Sequence, residues 1–167
     1  MVEILLACAT AAGAAVLAGL ARQRRRAAAE VLARYARRSG LAFRPDRLRI
    51  EGHEGAVGFV IDLARFDGRV CTRVAARASR GRCLRVRLVA RPFGVRAEDE
   101  DAAGAALERT SDAVGALRTR DGLWLASDGA LVVCAWPGVE ADAEVLDAAR
   151  RVVAEVADTR PPDAPYR

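Results

Sequence analysis

Thiol and imidazole groups are the side chains of this chain best suited to nucleophilic or metal chemistry. The sequence contains four cysteines and one histidine, which are Cys8, Cys71, Cys83, Cys134 and His53. No two cysteines form a C-x-x-C pair, and no second histidine or cysteine stands near His53, which only Glu51 and Glu54 flank. Because zinc sites and disulfide frameworks require closely spaced or paired ligands, the pattern predicts no metal, no cofactor and no disulfide. Free thiols suit a reducing compartment.

Cys71 is the candidate nucleophile, since it stands between Arg69 and Arg73. Neighbouring cations lower the pKa of a thiol and raise its reactivity. The competing interpretation is a small residue that fills space on a strand, and we favour it because the sequence contains no nucleotide-binding, hydrolase or metalloprotease motif. We therefore predict that the chain is not an enzyme, and we keep an unrecognised thiol site as the third hypothesis. We expect His53 to lie in a solvent-exposed turn.

A set of arginines alternates with apolar residues in the middle of the chain and forms the candidate binding surface. Its members are Arg69, Arg73, Arg77, Arg85, Arg87 and Arg91. Only Asp62 is expected on the same face as a counter-charge, and like charges directly opposite each other cost roughly 0.2–1 kcal/mol per pair. Three interpretations stay open: the face extends into water, the acidic residues 98–101 neutralise it, or it binds a polyanion such as nucleic acid or anionic lipid. Nucleic acid is disfavoured because only Phe66 is expected there for base stacking.

The strands that position these arginines begin with a hairpin. Residues 57–63 and 70–76 alternate between apolar and other side chains, and Asp67-Gly68 lies between them. This dipeptide favours a two-residue type I′ turn, which requires positive φ at both central positions. The turn predicts three cross-strand pairs: Ile61 with Val74, Leu63 with Thr72, and Asp62 with Arg73. Apolar residues then share one face, and opposite charges meet on the other.

A second hairpin is expected to follow at once. A three-residue loop at residues 79–81 keeps the two faces separate if Gly81 adopts the left-handed conformation. The strand 84–91 would then pair with the second strand of the first hairpin, placing Val86 opposite Val74. The same register would set Arg87 opposite Arg73 and Arg91 opposite Arg69.

Composition limits how strongly the arginines can be interpreted. The 27 basic residues are all arginine, and the chain contains neither lysine nor asparagine. This bias is typical of a GC-rich coding sequence, so arginine in place of lysine is not evidence of selection for guanidinium chemistry. The formal net charge is +5, and four of the positive charges lie together at residues 22–26. Net charge alone therefore gives weak support for a nucleic-acid partner.

Residues 4–21 predict a membrane anchor. They form an 18-residue stretch without a charged side chain, which as a helix would be about 27 Å long, just enough to cross a bilayer. Residues 22–26 follow with four arginines, so the positive-inside rule places the domain in the cytoplasm. The alternatives are a secretory signal and a buried or interfacial helix. Small residues at Ala9, Gly13, Ala15 and Gly19 could also support pairing of two such helices in a homodimer.

The remaining pattern predicts helices and strands in a defined order. The first helix continues to Arg38 and ends at Gly40. Short strands at 41–43 and 48–50 flank a turn, and residues 51–55 form a second turn. Helices at 101–109 and 112–118, the second capped by Ser111 or Asp112, precede a hairpin of 123–126 with 131–136 around Asp128-Gly129. Because both faces of that hairpin are apolar, we expect it to be central or covered. A helix at about 141–157 closes the order.

These elements together predict an α+β fold: an anchor helix, an antiparallel β-meander with helices on one face, and a C-terminal helix. We divide the chain into an anchor with its basic flank (1–26), a single α+β domain (27–158) and a disordered tail (159–167). The first functional hypothesis is a non-catalytic interaction domain with an unidentified protein partner, held by a single-pass anchor on the cytoplasmic face of a bacterial inner membrane. The second is a polyanion-binding module that uses the arginine-rich sheet face.

Overall fold

The computed structural model describes residues 2–78, 83, 85–90, 93–97 and 100–159, with side chains omitted at residues 2–13, 88–90 and 93–96. Several expectations therefore lie outside the described residues. They concern the loop at 79–81, Arg91, the acidic residues Glu98 and Asp99, and the tail after residue 159.

Four helices and eight strands make up the described part of the chain. In order they are α1 (Val2–Arg38), β1 (Ala42–Arg44), β2 (Arg49–Glu54), β3 (Val57–Phe66), β4 (Arg69–Arg77), β5 (Val86–Ala90), β6 (Phe93–Ala97), α2 (Glu100–Arg109), α3 (Ser111–Arg118), β7 (Trp124–Ser127), β8 (Leu131–Pro137) and α4 (Ala143–Asp158). The predicted α+β class is confirmed, as are the broken middle helix and the closing helix. The predicted cap on the second middle helix is wrong, because its N-terminal neighbour is Thr110 and no side chain caps it.

The described strands form one antiparallel sheet in the order β1-β2-β3-β4-β8-β7-β5-β6. One face of this sheet and the helices enclose the apolar core, in which Leu32, Ile61, Val74, Cys134 and Leu146 are fully buried. Burial of side chains of this size contributes roughly 1.5–3 kcal/mol each. α4 crosses β3, β4 and β8, as its apolar stripe predicts. We call the opposite face of the sheet the open face.

The first hairpin has the predicted register. Ile61 pairs with Val74, Asp62 with Arg73 and Leu63 with Thr72. Both turn residues, Asp67 and Gly68, have positive φ, at 49° and 76°, which the type I′ geometry requires. The turn residues and the alternation of side chains therefore specify the same pairing.

The second predicted hairpin is wrong. β4 pairs with β8 rather than with β5, and Arg73 lies opposite Ala135. β8 and β7 both lie between β4 and β5, so Arg73 and Arg87 are not cross-strand neighbours. β8 is apolar on both faces and takes the central position expected for the last hairpin. A central strand has a hydrogen-bonded neighbour on each side. The largely apolar β8 fits that position better than β5, which carries Arg87.

Three further local predictions need correction. The turn expected at 51–55 belongs largely to β2, which ends at Glu54, so exposed His53 lies on a strand opposite Gly58. A strand, β6, was not predicted and pairs with β5. A two-residue turn at Asp128-Gly129, which the dipeptide favours, would pair Trp124 with Val133; the β7–β8 loop is wider, because Ser127 pairs with Val132 and Trp124 with Ala135. The Asp128 carboxylate accepts bonds from the backbone N–H of residues 130 and 131, which stabilises the wider loop.

Candidate functional site

The described arginines of the predicted binding surface do not form one continuous row. Arg69, Arg77 and Arg87 are exposed, but Arg87 lies on β5, which two intervening strands separate from the other two arginines on β4. The Nε atom of Arg85 donates to the Asp128 carbonyl oxygen at 3.1 Å. Arg91 lies outside the described residues. The structure thus separates the set that the expected β4–β5 pairing brought together.

Arg73 is occupied by the counter-charge that its register predicts. Its Nε atom lies 2.8 Å from Oδ1 of Asp62, and its Nη2 atom lies 2.6 Å from Oδ2. This two-point geometry matches the planar guanidinium to the carboxylate. Arg73 is therefore already engaged within the open face, whereas Arg69 and Arg77 on the same strand have no ion-pair partner among the residues that the structure describes.

Aromatic packing covers part of the open face. The rings of Phe66 and Trp124 meet edge to face, with their centroids 5.1 Å apart, although β4 and β8 lie between their strands. Cys71 and Ala135 are buried on this same face. Burial of Cys71 supports the space-filling interpretation and leaves its thiol poorly accessible to a substrate. Trp124 was missed in the sequence because its orientation depends on the β7–β8 register.

The N-terminal part of α1 carries exposed apolar side chains. Val16, Leu17 and Leu20 are 62%, 68% and 46% exposed, although apolar side chains of this size usually lie in a protein core. All residues from 14 to 27 are exposed, and four arginines follow the apolar residues. Among residues with described side chains, no helical stretch is both apolar enough and long enough to cross a bilayer. The side chains at residues 4–13 of the predicted anchor lie outside that description.

The C-terminal part of the same helix is built into the core. Burial begins at Ala28, and Leu32, Tyr35 and Ala36 are buried. The helix ends where Gly40 adopts a φ of 65°, as its position after the last basic turn predicts. α1 runs without a break across residue 26, the boundary expected between anchor and domain. The exposed and buried parts therefore belong to one continuous helix.

A polar cluster joins α1 to the rest of the domain. The Tyr35 hydroxyl donates to Oδ1 of Asp147 on α4 at 2.6 Å. Nη2 of Arg150 lies 3.4 Å from the same oxygen and 3.3 Å from Oε2 of Glu54 on β2. Its guanidinium also lies over the Phe59 ring, 5.2 Å from the centroid. Burial, and then the hydrogen bond to Asp147, raise the pKa of Tyr35 far above its ordinary value. The phenol is therefore a neutral donor at physiological pH.

No group of three or more metal-ligating side chains occurs among the described residues. Burial raises the pKa of the Cys83 thiol and raises that of Cys134 to about 12. Such thiols are protonated at neutral pH and are poor nucleophiles. Cys83 and Cys134 therefore act as core residues.

Comparison with known proteins gives one similar structure. The sequence matches no protein-family model and no curated protein. The crystal structure of the mycobacterial trehalose monomycolate transport factor A, TtfA, is similar with 15% sequence identity and a TM-score of 0.46. The alignment covers 83% of this chain and 99% of that chain. Because the TM-score is below 0.5, this similarity supports no conclusion about fold or function.

Proposed function

We propose that the chain is a membrane-tethered, non-catalytic interaction domain on the cytoplasmic face of a bacterial inner membrane. The observation that carries the proposal is the division of α1: residues 14–20 are exposed and mostly apolar, whereas residues after 27 enter the core. A bilayer removes exposed apolar surface from water in the same way as a protein core does. The proposal places the apolar part of α1 in the bilayer and the α+β domain beneath it.

The charges next to the apolar residues support the cytoplasmic orientation. Arg22, Arg24, Arg25 and Arg26 are all exposed and follow the uncharged stretch at 4–21. Basic residues beside a membrane segment favour the cytoplasmic side and attract anionic lipid headgroups. An exposed arginine cluster at this point thus serves both as an orientation signal and as a contact with the membrane surface.

The continuity of α1 supports a positioning role. A rigid helix that begins outside the domain and ends in its core transmits the orientation of the membrane segment to the sheet. The Tyr35–Asp147–Arg150 cluster strengthens this joint on the domain side. A flexible linker would tether the domain without orienting it. We infer that the domain presents a defined surface to a protein partner at the membrane.

Two measurements on the full chain test this proposal together. Membranes are extracted with alkaline carbonate, and a reporter that is active only in the cytoplasm is fused after Arg167. We expect the protein to stay in the membrane pellet and the reporter to be active. Recovery of the chain in the supernatant would contradict the tether, and a silent reporter on a membrane-bound chain would contradict the orientation.

A polyanion-binding module is the second candidate, because Arg69, Arg77 and Arg87 are exposed on strands. It predicts binding of nucleic acid that weakens with salt, with a log–log slope that falls by roughly 0.9 for each duplex phosphate contact removed. A variant in which these three residues become glutamine should then bind more weakly. The matched control changes three other exposed arginines, Arg37, Arg38 and Arg151. Equal binding by the two variants would exclude the strand arginines as the contact.

A further inference from the structure

The end of the sheet formed by the β3–β4 turn carries exposed apolar and basic side chains. Val70 and Val139 are each 40% exposed, and the β3–β4 hairpin adds exposed Arg65, Asp67 and Arg69, with Arg65 opposite Val70 and Arg69 opposite Phe66. Neither of these two arginines has an ion-pair partner among the described residues. We call these five residues the hairpin surface.

The two valines are brought together by the backbone. The Gly138 N–H donates to the Val70 carbonyl oxygen at 2.9 Å, which places the residue before Val139 beside β4. The buried Thr72 hydroxyl donates to the Gly138 carbonyl oxygen at 2.8 Å and accepts from the Glu140 N–H at 2.9 Å. Val139 is therefore held on both sides by hydrogen-bonded residues while its own side chain stays exposed.

The same segment is held from the other side by the Glu140 carboxylate. It accepts a bond from Nε1 of Trp136 at 3.0 Å and lies 3.0 Å from Nε of Arg120. These contacts fix the connection between β8 and α4. The exposed valine thus belongs to a rigid part of the structure, where an apolar side chain can be presented to a partner without an ordering cost.

The strand registers place the hairpin surface at the end of the domain from which α1 projects. Nη2 of Arg25 donates to the Asp46 carbonyl oxygen at 2.7 Å, so the β1–β2 turn lies beside the basic part of the helix. β2 and β3 are antiparallel, with Ile50 opposite Ile61. The residues that precede Ile50 and those that follow Ile61 therefore lie at the same end of the sheet, and the β3–β4 turn lies at that end.

We propose that the hairpin surface is a second membrane contact, in which Arg65 and Arg69 bind anionic lipid headgroups and Val70 and Val139 enter the interface. This inference rests on the proposed function, because the anchor brings this end of the domain to the bilayer. Charge complementarity selects the partner: two arginines and one aspartate give the surface a positive balance, and the four arginines of residues 22–26 add to it. Exposed apolar side chains with arginine nearby suit the boundary between headgroups and acyl chains.

Position-specific fluorescence on the full chain tests the inference. An environment-sensitive dye is attached to Val70→Cys or, as the control, to Leu131→Cys, in a Cys8→Ser background. Leu131 is 39% exposed, also lies on a strand, and pairs with Arg77 at the opposite end of β4. The buried Cys71, Cys83 and Cys134 should not take the dye, and labelling of the Cys8→Ser parent verifies this.

The labelled chains are reconstituted into vesicles of phosphatidylcholine with or without 30% phosphatidylglycerol. We expect at least a twofold higher, blue-shifted emission at position 70 than at position 131, and only with the anionic lipid. Adding Arg65→Gln and Arg69→Gln should remove at least half of this increase. A vesicle-bound protein with equal emission at both positions would overturn the hairpin contact but leave the tether intact.

Three other outcomes would each contradict the lipid contact of the hairpin surface. Emission that rises equally in vesicles of phosphatidylcholine alone would contradict the role of headgroup charge. Emission at position 70 that rises with protein concentration in the absence of vesicles would replace the lipid with a second copy of the chain. Failure of the full chain to float with any vesicle would refute the proposed tether itself, and with it the hairpin contact.

Discussion

The two parts of α1 have similar composition and opposite surroundings. Both are rich in alanine and contain leucine, yet Leu32 is fully buried and Leu17 is 68% exposed. Leu32 belongs to the common buried core together with residues of the sheet and α4, whereas the helix from residue 14 to residue 27 is exposed on every side. From Arg25 to Val2 the helix measures roughly 35 Å at 1.5 Å per residue. One helix thus serves two environments, and the arginines of residues 22–26 mark the boundary.

This difference shows that apolar periodicity alone does not reveal what a helix packs against. Residues 28–36 have buried positions on one side and exposed residues such as Glu30 and Arg34 on the other, which is the pattern of a helix on a sheet. Residues 14–20 are exposed on every side and carry no charged side chain. A helix that is apolar all round suits a uniform apolar environment, as a bilayer provides.

Matched leucine truncations should give the largest contrast between the two parts. Leu32→Ala should lower the free energy of unfolding of the domain by about 2–5 kcal/mol, because it leaves a cavity in the core. Leu20→Ala should lower it by less than about 0.5 kcal/mol, because that side chain has no core contact to lose. Denaturant unfolding of the full chain in detergent micelles measures both. Equal losses would show that the projecting part packs on the domain.

Tyr35→Phe tests the joint between α1 and the domain. Loss of the hydrogen bond to Asp147 should cost about 1–2 kcal/mol at neutral pH. The raised pKa of Tyr35 in the folded state means that the native protein holds this proton more tightly than the unfolded chain does. Its contribution is therefore complete below the ordinary tyrosine value of about 10 and is lost as the pH rises above it.

The difference in unfolding free energy between wild type and Tyr35→Phe, followed from pH 7 to 11.5, isolates this effect. The raised pKa values of the Cys83 and Cys134 thiols give both proteins the same additional slope. We expect the difference to shrink as the pH rises above about 10. A difference that stays constant over the whole range would show that the phenol does not ionise differently in the two states.

Arg25→Ala should have the smallest effect on the free energy of unfolding, because Arg25 lies at the boundary between the exposed and buried parts of α1. Its side chain is exposed, and its partner is the Asp46 carbonyl oxygen. Exposed polar contacts of this kind contribute about 0–1 kcal/mol. Hydrogen exchange should become faster at the β1–β2 turn and stay unchanged at β3. Faster exchange throughout the sheet would instead make Arg25 part of the domain's core stability.

Local signals predicted the first hairpin pair by pair, because the Asp67-Gly68 turn and the alternation of side chains select one register. The next neighbour of β4 was not predictable by the same means. Consecutive strands are usually adjacent, and that expectation favoured β5. The actual neighbour, β8, begins at Leu131, and 53 residues separate it from the end of β4 at Arg77. Its fit depends on tertiary packing that no local pattern displays.

The candidate site likewise has features that local sequence patterns predict and features that depend on tertiary packing. The exposed part of α1 and its arginine boundary follow from the charge pattern of residues 4–26. The Tyr35–Asp147 bond joins residues 112 positions apart, so the sequence gives no sign of it. The hairpin surface likewise depends on the approach of Gly138 to Val70, which requires β8 to lie beside β4. Residue types thus predicted which part of α1 is exposed, whereas the contacts of Tyr35 and of the hairpin surface depend on the order of the strands in the sheet.

Membrane partition of Leu17→Asp and Leu131→Asp in the full chain tests the tether most directly. The two leucines are 68% and 39% exposed, so neither change buries a charge in the protein core. At the centre of a membrane helix an aspartate costs roughly 2.5–3.5 kcal/mol, whereas an aspartate at position 131 lies opposite Arg77. We expect Leu17→Asp to move most of the protein into the soluble fraction and Leu131→Asp to leave it with the membranes. Equal partition of the two variants, whether both bound or both soluble, would contradict the assignment of the exposed part of α1 to the bilayer.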